Sequence, residues 1–471
     1  MKAFFKNLVI TIVAVVLAAG VNAQSQNDYS KKIAPGLLKQ DFLVLRDSLQ
    51  SLHAGLYRYK TESEMNALFD RSYQQLDHPM TEADFFAIVS TLVSSIEDGH
   101  TECFLPQDRI KAIIAGVKIF PIQPKYIGDK AYVPCDTKEF PAGTEIVKID
   151  DKPVNEIRKQ LFSLLSSDGS IETEKYVKIN DGHDPFSYLY FVVYGEKADF
   201  KITYKTSTGA LAEKSLRADL FQKMECAPER PVINQYLSLE YKPGGIAVMT
   251  LKTFANEYLE RTKENFENFL AASFKELKEK KITKLIIDLR ENGGGEDTNG
   301  LLLYRYLTDK PFQYYASLNS TRHVITDHPN LAIQQPETNN FTGKVEFLTG
   351  GKSFSGAAEF SAIARTNSRG TFIGEETAGG YYGNTSGSKI ALILPNTRIR
   401  VNIPLTKYVM AVKKAKYNDR GIIPDYPIVP TIQDYLDHKD VQMNFALELI
   451  NKKINPSPGC LRMPMRVALD Y

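Results

Sequence analysis

From about Ser238 onward, short apolar runs alternate with amphipathic helical stretches, and this alternation restricts the chain to few architectures. GIAVMTL and KLIIDL are continuous apolar strands of the kind buried on both faces of a parallel sheet. Between them, Asn256 to Lys280 reads as helix, with Phe266, Phe269, Leu270, Phe274 and Leu277 on one face. Thr298 to Leu307 reads as helix, KVEFLTG as strand, GAAEFSAIAR as helix and TFIGEE as strand. Strand–helix alternation of this type predicts an α/β core with a mostly parallel sheet. KIALILP and TRIRVNIPL then predict a hairpin across Asn396.

Two further regions precede this core. Residues 30–105 are helical in pattern: Phe42, Leu45, Leu49 and Leu52 recur at three- to four-residue spacing. TEADFFAIVSTLVSSIEDGH opens on a capping Thr81 with Asp84 three residues on, and stops at Gly99. Residues 111–219 are built of short β-rich pieces, in which GTEIVKIDDKPVNEIRKQL predicts strand, turn, short strand and helix, an order that resembles a PDZ domain. A chain of 471 residues suits two or three domains.

The N-terminus, MKAFFKNLVITIVAVVLAAGVNAQ, has two lysines, an apolar run and a small-x-Ala site. It predicts a secretory signal peptide cut after Ala23, with a membrane anchor as the alternative. Lys2 and Lys6 supply the whole +2 formal charge, since 58 basic and 56 acidic residues become 56 and 56 without them. A neutral mature chain gives no reason to expect nucleic acid or an anionic membrane as partner. No later stretch is apolar enough to span a bilayer. Cys103, Cys135, Cys226 and Cys460 form no CxxC pair, so neither a zinc site nor a metal is expected. Export permits a disulfide without choosing its pairing.

Three segments place glycine and polar residues at strand ends, where sites form in open α/β sheets. In LTGGKSFSGAAEF, residues 348–360, a serine between strand and helix sits among the free N–H groups of the helix start, which suit an oxyanion. Either Ser355 is an exposed nucleophile, or Ser353 or Ser355 only caps the helix. LIIDLRENGGG, residues 285–295, brings three glycines, whose backbone can approach a ligand closely; its spacing is not that of a phosphate-binding loop. SSIEDGHTECF, residues 94–104, offers His100 as a base, with His183 as its rival; His53, His78, His323, His328 and His438 sit in ordinary surface contexts.

Together these segments resemble the S41-type serine peptidases, the family of the C-terminal processing (tail-specific) proteases and tricorn. DLRENGGG, GGKSFSGAAEF, GEETAGG (374–380) and the Gly421, Pro424, Asp425 of DRGIIPDYPI carry the likeness. The resemblance implies a crotonase-like α/β catalytic core at 223–455, a helical region at 24–108 with the DGHT segment, a PDZ-like insert at 109–222 and a tail at 456–471. It further implies Ser355 as nucleophile and an oxyanion hole from the Gly295 and Gly356 N–H groups, with no cofactor and a polypeptide substrate. One branch uses a lysine after Thr-x-Gly, but this chain reads Thr377-Ala378-Gly379-Gly380-Tyr381, and Lys352 and Lys389 do not match that place. The other branch takes a histidine from a D-x-H-T segment, which fits Asp98-Gly99-His100-Thr101. That branch also has a glutamate where this chain has Asn418; Asp419, one residue out of register, is the candidate third member, with Asn418 or no orienter as alternatives. A catalytically silent binder of peptides or small ligands on the same fold, or an esterase or amidase, would keep the same segments. Export implies a periplasmic or extracellular place.

Overall fold

The computed structural model describes residues 31–181, 185–228 and 232–452. The signal segment, His183, Cys460 and the tail lie outside the described residues. The helical region forms as its periodicity dictates. Helices α1 (Pro35–Leu52), α2 (Glu62–Gln74) and α3 (Glu82–Ser94) turn Phe42, Leu45, Leu49, Phe69, Phe85 and Val89 into one core. Thr61–Glu64 and Thr81–Asp84 close reciprocal capping boxes at α2 and α3. Helix α3 ends at Ser94, earlier than the glycine suggests, because Glu97 adopts φ +64° and turns the chain first. Strand β1 (Glu102–Phe104) follows.

The β-rich stretch is an antiparallel sheet of β2 (Lys125–Ile127), β3 (Lys130–Tyr132), β4 (Glu145–Ile149), β5 (Asp199–Lys205) and β6 (Leu211–Arg217), ordered β6-β5-β4-β3-β2. Asp150 and Asp151, both at positive φ, make the predicted turn into α4 (Val154–Phe162). Two helices escape the sequence reading, α5 (Thr173–Asn180) and α6 (Phe186–Tyr194), and they cover this sheet. A Cys135–Cys226 disulfide closes the ends of the unit over 91 positions.

The C-terminal part is the predicted α/β core, so the chain is a mixed α/β protein. Strands β7 (Leu237–Lys242), β8 (Ile246–Leu251), β9 (Lys284–Asp288), β11 (Lys344–Thr349), β12 (Thr371–Gly374) and β15 (Tyr426–Pro427) form one sheet in the order β7-β8-β9-β11-β12-β15. Only the β7–β8 pair is antiparallel. The expected long helix at 256–280 is broken by Lys263 at φ +61° into a short helix, Asn256–Arg261, and α7 (Phe266–Glu279), with Phe266, Leu270, Phe274 and Leu277 buried. Helices α8 (Asp297–Arg305) and α9 (Gly356–Thr366) follow β9 and β11. A second sheet holds β10 (Tyr315–Ser320), β13 (Thr385–Ile393) and β14 (Arg400–Met410); β13 and β14 are the expected hairpin. Buried Asp41 of α1 accepts the N–H groups of Asn396 and Thr397 at its tip, at 2.9 and 2.8 Å. Leu394, Ile399, Val401 and Ile403 join the helical core, so the N-terminal helices and this hairpin share one apolar interior.

Candidate active site

The turn after β11 assigns its two serines different tasks. Ser353 is buried; its hydroxyl donates to the Leu289 carbonyl at 2.8 Å and accepts the Gly350 N–H at 3.1 Å. Ser355 occupies the N-cap position of α9, yet its side chain makes no cap bond. Its backbone sits at φ +50°, ψ −126°, a conformation costly for a residue with a Cβ, of order 1–3 kcal/mol. That turn directs Oγ away from the helix and to 3.2 Å from His100 Nε2. Of the two readings of this segment, capping by Ser355 therefore does not describe the structure.

The triple glycine lies against this turn. Asn292 holds the loop, donating to the Leu251 carbonyl at 3.0 Å and accepting the Gly294 N–H at 2.9 Å. Gly294 has φ +93°, and a Cβ there would stand 2.7 Å from Ser355 Cβ and 2.8 Å from Gly356 N. Gly295 has φ +132°, and its Cβ would meet Ala255 N at 2.1 Å. A Cβ built on Gly356 would lie 3.7 Å from Gly295 N, so the two backbone nitrogens are neighbours beside Ser355. Among the described residues neither N–H has an acceptor.

His100 reaches the serine from 255 positions away because β1 pairs antiparallel with β14, Phe104 opposite Arg400 and Glu102 opposite Asn402. The Arg400 guanidinium covers the Phe104 ring at 4.6 Å. The His100 imidazole stacks on Phe354, the residue before Ser355, with centroids 4.4 Å apart and planes at 26°. Burial lowers the His100 pKa below the ordinary value, against the opposing charges of Asp98 and Glu102, so the neutral, proton-accepting form is favoured.

Behind the imidazole lies a polar group that sequence reasoning missed. His53 is 3% exposed, and its placement in a surface context is corrected by this burial. Its Nδ1 accepts the Gly55 N–H at 3.0 Å, which leaves Nε2 to carry the proton, 2.7 Å from Thr101 Oγ1 and 3.3 Å from Asp98 Oδ2. Asp98 Oδ1 accepts the backbone N–H of His100 at 2.9 Å. Burial would raise the Asp98 carboxyl, but the imidazoles of His53 and His100 outweigh it and hold it below the usual carboxylate value. Asp168, 2% exposed, comes from the insert and accepts the N–H groups of Gly99 and Gly380 at 2.8 and 3.0 Å. Burial, and then the charge of Asp98, push its carboxyl up to about 7.

Among the described residues no hydrogen bond joins the Asp419 carboxylate to His100. The Asp419 contribution is its backbone carbonyl, which accepts the Ser170 N–H at 2.9 Å, while His100 Nδ1 is buried without a hydrogen-bond partner. Neighbouring Asn418 is exposed. Sequence register placed a carboxylate near the histidine, but the turn before Gly421 presents main chain instead. Lys352 is engaged by Asp181 at 2.7 Å and Glu291 at 2.9 Å. One ring nitrogen of His100 and one oxygen each of Asp98 and Asp168 lie within 4.8 Å of one another, a spacing a metal could use. However, the Asp168 oxygens hold two backbone N–H groups and His100 Nε2 faces Ser355, so these donors already serve the turn and the serine.

A cavity of about 500 Å³ opens beside His100 and Phe354. Glu102, Glu174, Lys178, Glu291, Lys352 and Lys389 line it, with backbone of Gly99, Gly293 and Gly351. Charged side chains of both signs share its wall with the apolar Val177, Phe354 and Pro404. Among the described residues no helix is long and apolar enough to cross a membrane.

Residues 245–428 match the model of peptidase family S41. No functionally curated protein matches the chain in sequence. Among solved structures, mature CPAF complexed with lactacystin superposes with a TM-score of 0.61 at 14% identity, covering 88% of this chain and 98% of that one. A second structure of mature CPAF gives 0.59 at 13% identity, covering 88% and 97%. The photosystem II D1 C-terminal processing protease, at 14% identity over 88% and 98%, has a TM-score of only 0.42. At these identities the likeness speaks for the fold alone.

Proposed function

We propose, from the premise that residues 245–428 belong to peptidase family S41 and make this chain a serine-type peptidase, that it is an exported enzyme acting through a Ser355–His100 acyl-enzyme mechanism. The observation that carries the mechanism is the 3.2 Å approach of His100 Nε2 to Ser355 Oγ, two groups 255 positions apart that the fold alone unites. His100 takes the Ser355 proton as Oγ attacks the peptide carbonyl. The N–H groups of Gly295 and Gly356 receive the oxyanion. His100 then gives its proton to the leaving amine, and water, deprotonated by the same imidazole, releases the acyl group. A strained serine backbone supports this reading, because its cost is repaid only if the hydroxyl must point into the cleft.

The signal-like N-terminus supports export, and the Cys135–Cys226 disulfide fits an oxidising compartment. The insert supports a role in holding an extended chain. At one edge of its sheet Asn180 occupies β2, donating to and accepting from the Tyr126 backbone at 2.8 and 2.7 Å, but the opposite edge, β6, faces solvent. A peptide could add a strand there. A silent binding protein, or an esterase, is the outcome opposed by the test. The full mature chain is assayed with a matched peptide and ester, beside Ser355→Ala. Both substrates should be cleaved, and turnover should fall roughly 10⁴-fold or more in the variant with its circular dichroism unchanged. Wild-type activity in a folded Ser355→Ala protein would overturn the assignment, and ester cleavage alone would make it an esterase.

A further inference from the structure

The proposed pair lacks an orienting group where register placed one, and the chain supplies a substitute from a different domain. We propose that Asp168 is the positioning residue of His100: it fixes the imidazole toward Ser355 and balances the charge the ring acquires when it takes the serine proton. The inference rests on the Ser355–His100 reading and adds the residue that completes it.

Three observations converge on Asp168. First, its carboxylate joins the two halves of the site. One oxygen accepts the N–H of Gly99, immediately before His100, and the other accepts the N–H of Gly380. The neighbouring Gly379 packs on the nucleophile turn so closely that a Cβ would lie 3.2 Å from Ser355 N and 2.5 Å from Ala358 Cβ. One side chain therefore sets the separation between the histidine loop and the serine turn. Second, the imidazole has an open position. Nε2 is given to Ser355, whereas Nδ1 is buried and without a partner. A ring nitrogen of His100 lies within 4.8 Å of an Asp168 oxygen. Each oxygen of a carboxylate accepts two hydrogen bonds, so Asp168 keeps capacity after its two backbone bonds. Third, the loop of Asp168 rests on the departure in the late motif. Ser170 donates to the Asp419 carbonyl at 2.9 Å, and a Cβ on Gly169 would stand 2.1 Å from the same oxygen. Where a glutamate side chain is missing at Asn418, main chain of that turn props up a carboxylate from the insert.

Asp98 is the competing acid: one oxygen accepts the His100 backbone N–H, and the other is buried 3.3 Å from His53 with no hydrogen-bond partner. Burial, and then the charge of Asp98, make Asp168 the group that titrates near neutrality. Asp168 also faces Glu174 and Tyr59; His100 is faced by Asp98, Glu102, Lys178 and Lys389. None of these accepts from Nδ1.

The test compares the full mature chain with Asp168→Asn and Asp419→Asn, measuring kcat and KM on a peptide and the rate of fluorophosphonate labelling of Ser355 against pH. Asp168→Asn should lose roughly 10²- to 10⁴-fold in kcat with KM within about twofold. The acidic limb of its labelling profile should move to lower pH, because the Asp168 carboxyl, which ionises at about 7, no longer has to lose its proton before it can accept from the imidazole. A purely structural Asp168 would instead raise KM and leave the limb in place, and that result overturns the proposal, as does the same loss and shift in Asp419→Asn with Asp168→Asn unaffected. A second measurement needs no variant to fold: in the crystal structure of wild-type protein phosphonylated at Ser355, an Asp168 oxygen should stand within about 3.2 Å of His100 Nδ1. Asp98, Asp419 or no carboxylate at that distance overturns it. Absence of any wild-type labelling would refute the Ser355–His100 reading itself, a separate result.

Discussion

The site depends on residues whose backbone, rather than side chain, does the work, and this limits how it can be probed. Gly295 is proposed to supply an oxyanion N–H, and replacement by alanine would look like its natural test. The geometry forbids it: φ is +132° and a Cβ would collide with Ala255 N at 2.1 Å, backbone that cannot step aside. Gly295→Ala is therefore expected to destabilise the protein by about 2–4 kcal/mol through strain and overpacking, readable as a lower urea midpoint, before any catalytic effect can be separated. A variant as stable as wild type would show that the loop does not hold this conformation. Ser355, His100 and the glycines could be picked out from sequence because each sits in a local pattern at the end of a strand or helix. Asp168 and His53 could not. The Asp168 contacts span 69 and 212 positions, and SSDGS looks like any exposed turn. A buried histidine following a predicted helix likewise has no local mark.

The elements explain why the remote histidine arrives at all. Strand β1 has only three residues, yet its pairing with β14 fixes the DGHT loop against the core. Sequence periodicity predicted most of the sheet and helix order, because apolar strands and amphipathic helices announce their own periods. It missed α5 and α6, whose short apolar and charged runs lie inside a stretch that otherwise reads as β, and with α5 one wall of the cavity. The insert is held by its disulfide. Replacing Cys135 by serine releases a closure of 91 positions and should cost about 2–5 kcal/mol. Denaturant unfolding with and without reductant checks this: wild type should lose stability on reduction, and the variant should be indifferent to it. An equal response in both would mean that the bridge does not form.

Across the whole molecule, three buried carboxyls have acidities pushed up to about 7, each first by burial: Asp168, Glu174 and Glu359. Such groups hold protons in the folded state that the unfolded chain has already released. Stability from this source is present below the unfolded value near 4 and is lost as pH rises through about 7. His100 acts oppositely, since its lowered pKa makes folding more favourable as pH rises past the unfolded value. Three groups against one predict that the melting temperature falls as pH rises from about 4 to about 7, the window between these values. A rise over that range would show that these carboxyls are ionised in the native protein. Asp168→Asn should flatten the slope.

Fluorophosphonate labelling of the full mature chain, followed by mass spectrometry of the modified peptide, tests the central claim most directly. The account predicts one adduct, on Ser355, forming at least about 10³-fold more slowly in His100→Ala and absent in Ser355→Ala. No adduct in folded wild-type protein, or an adduct on another serine that survives Ser355→Ala, would contradict it.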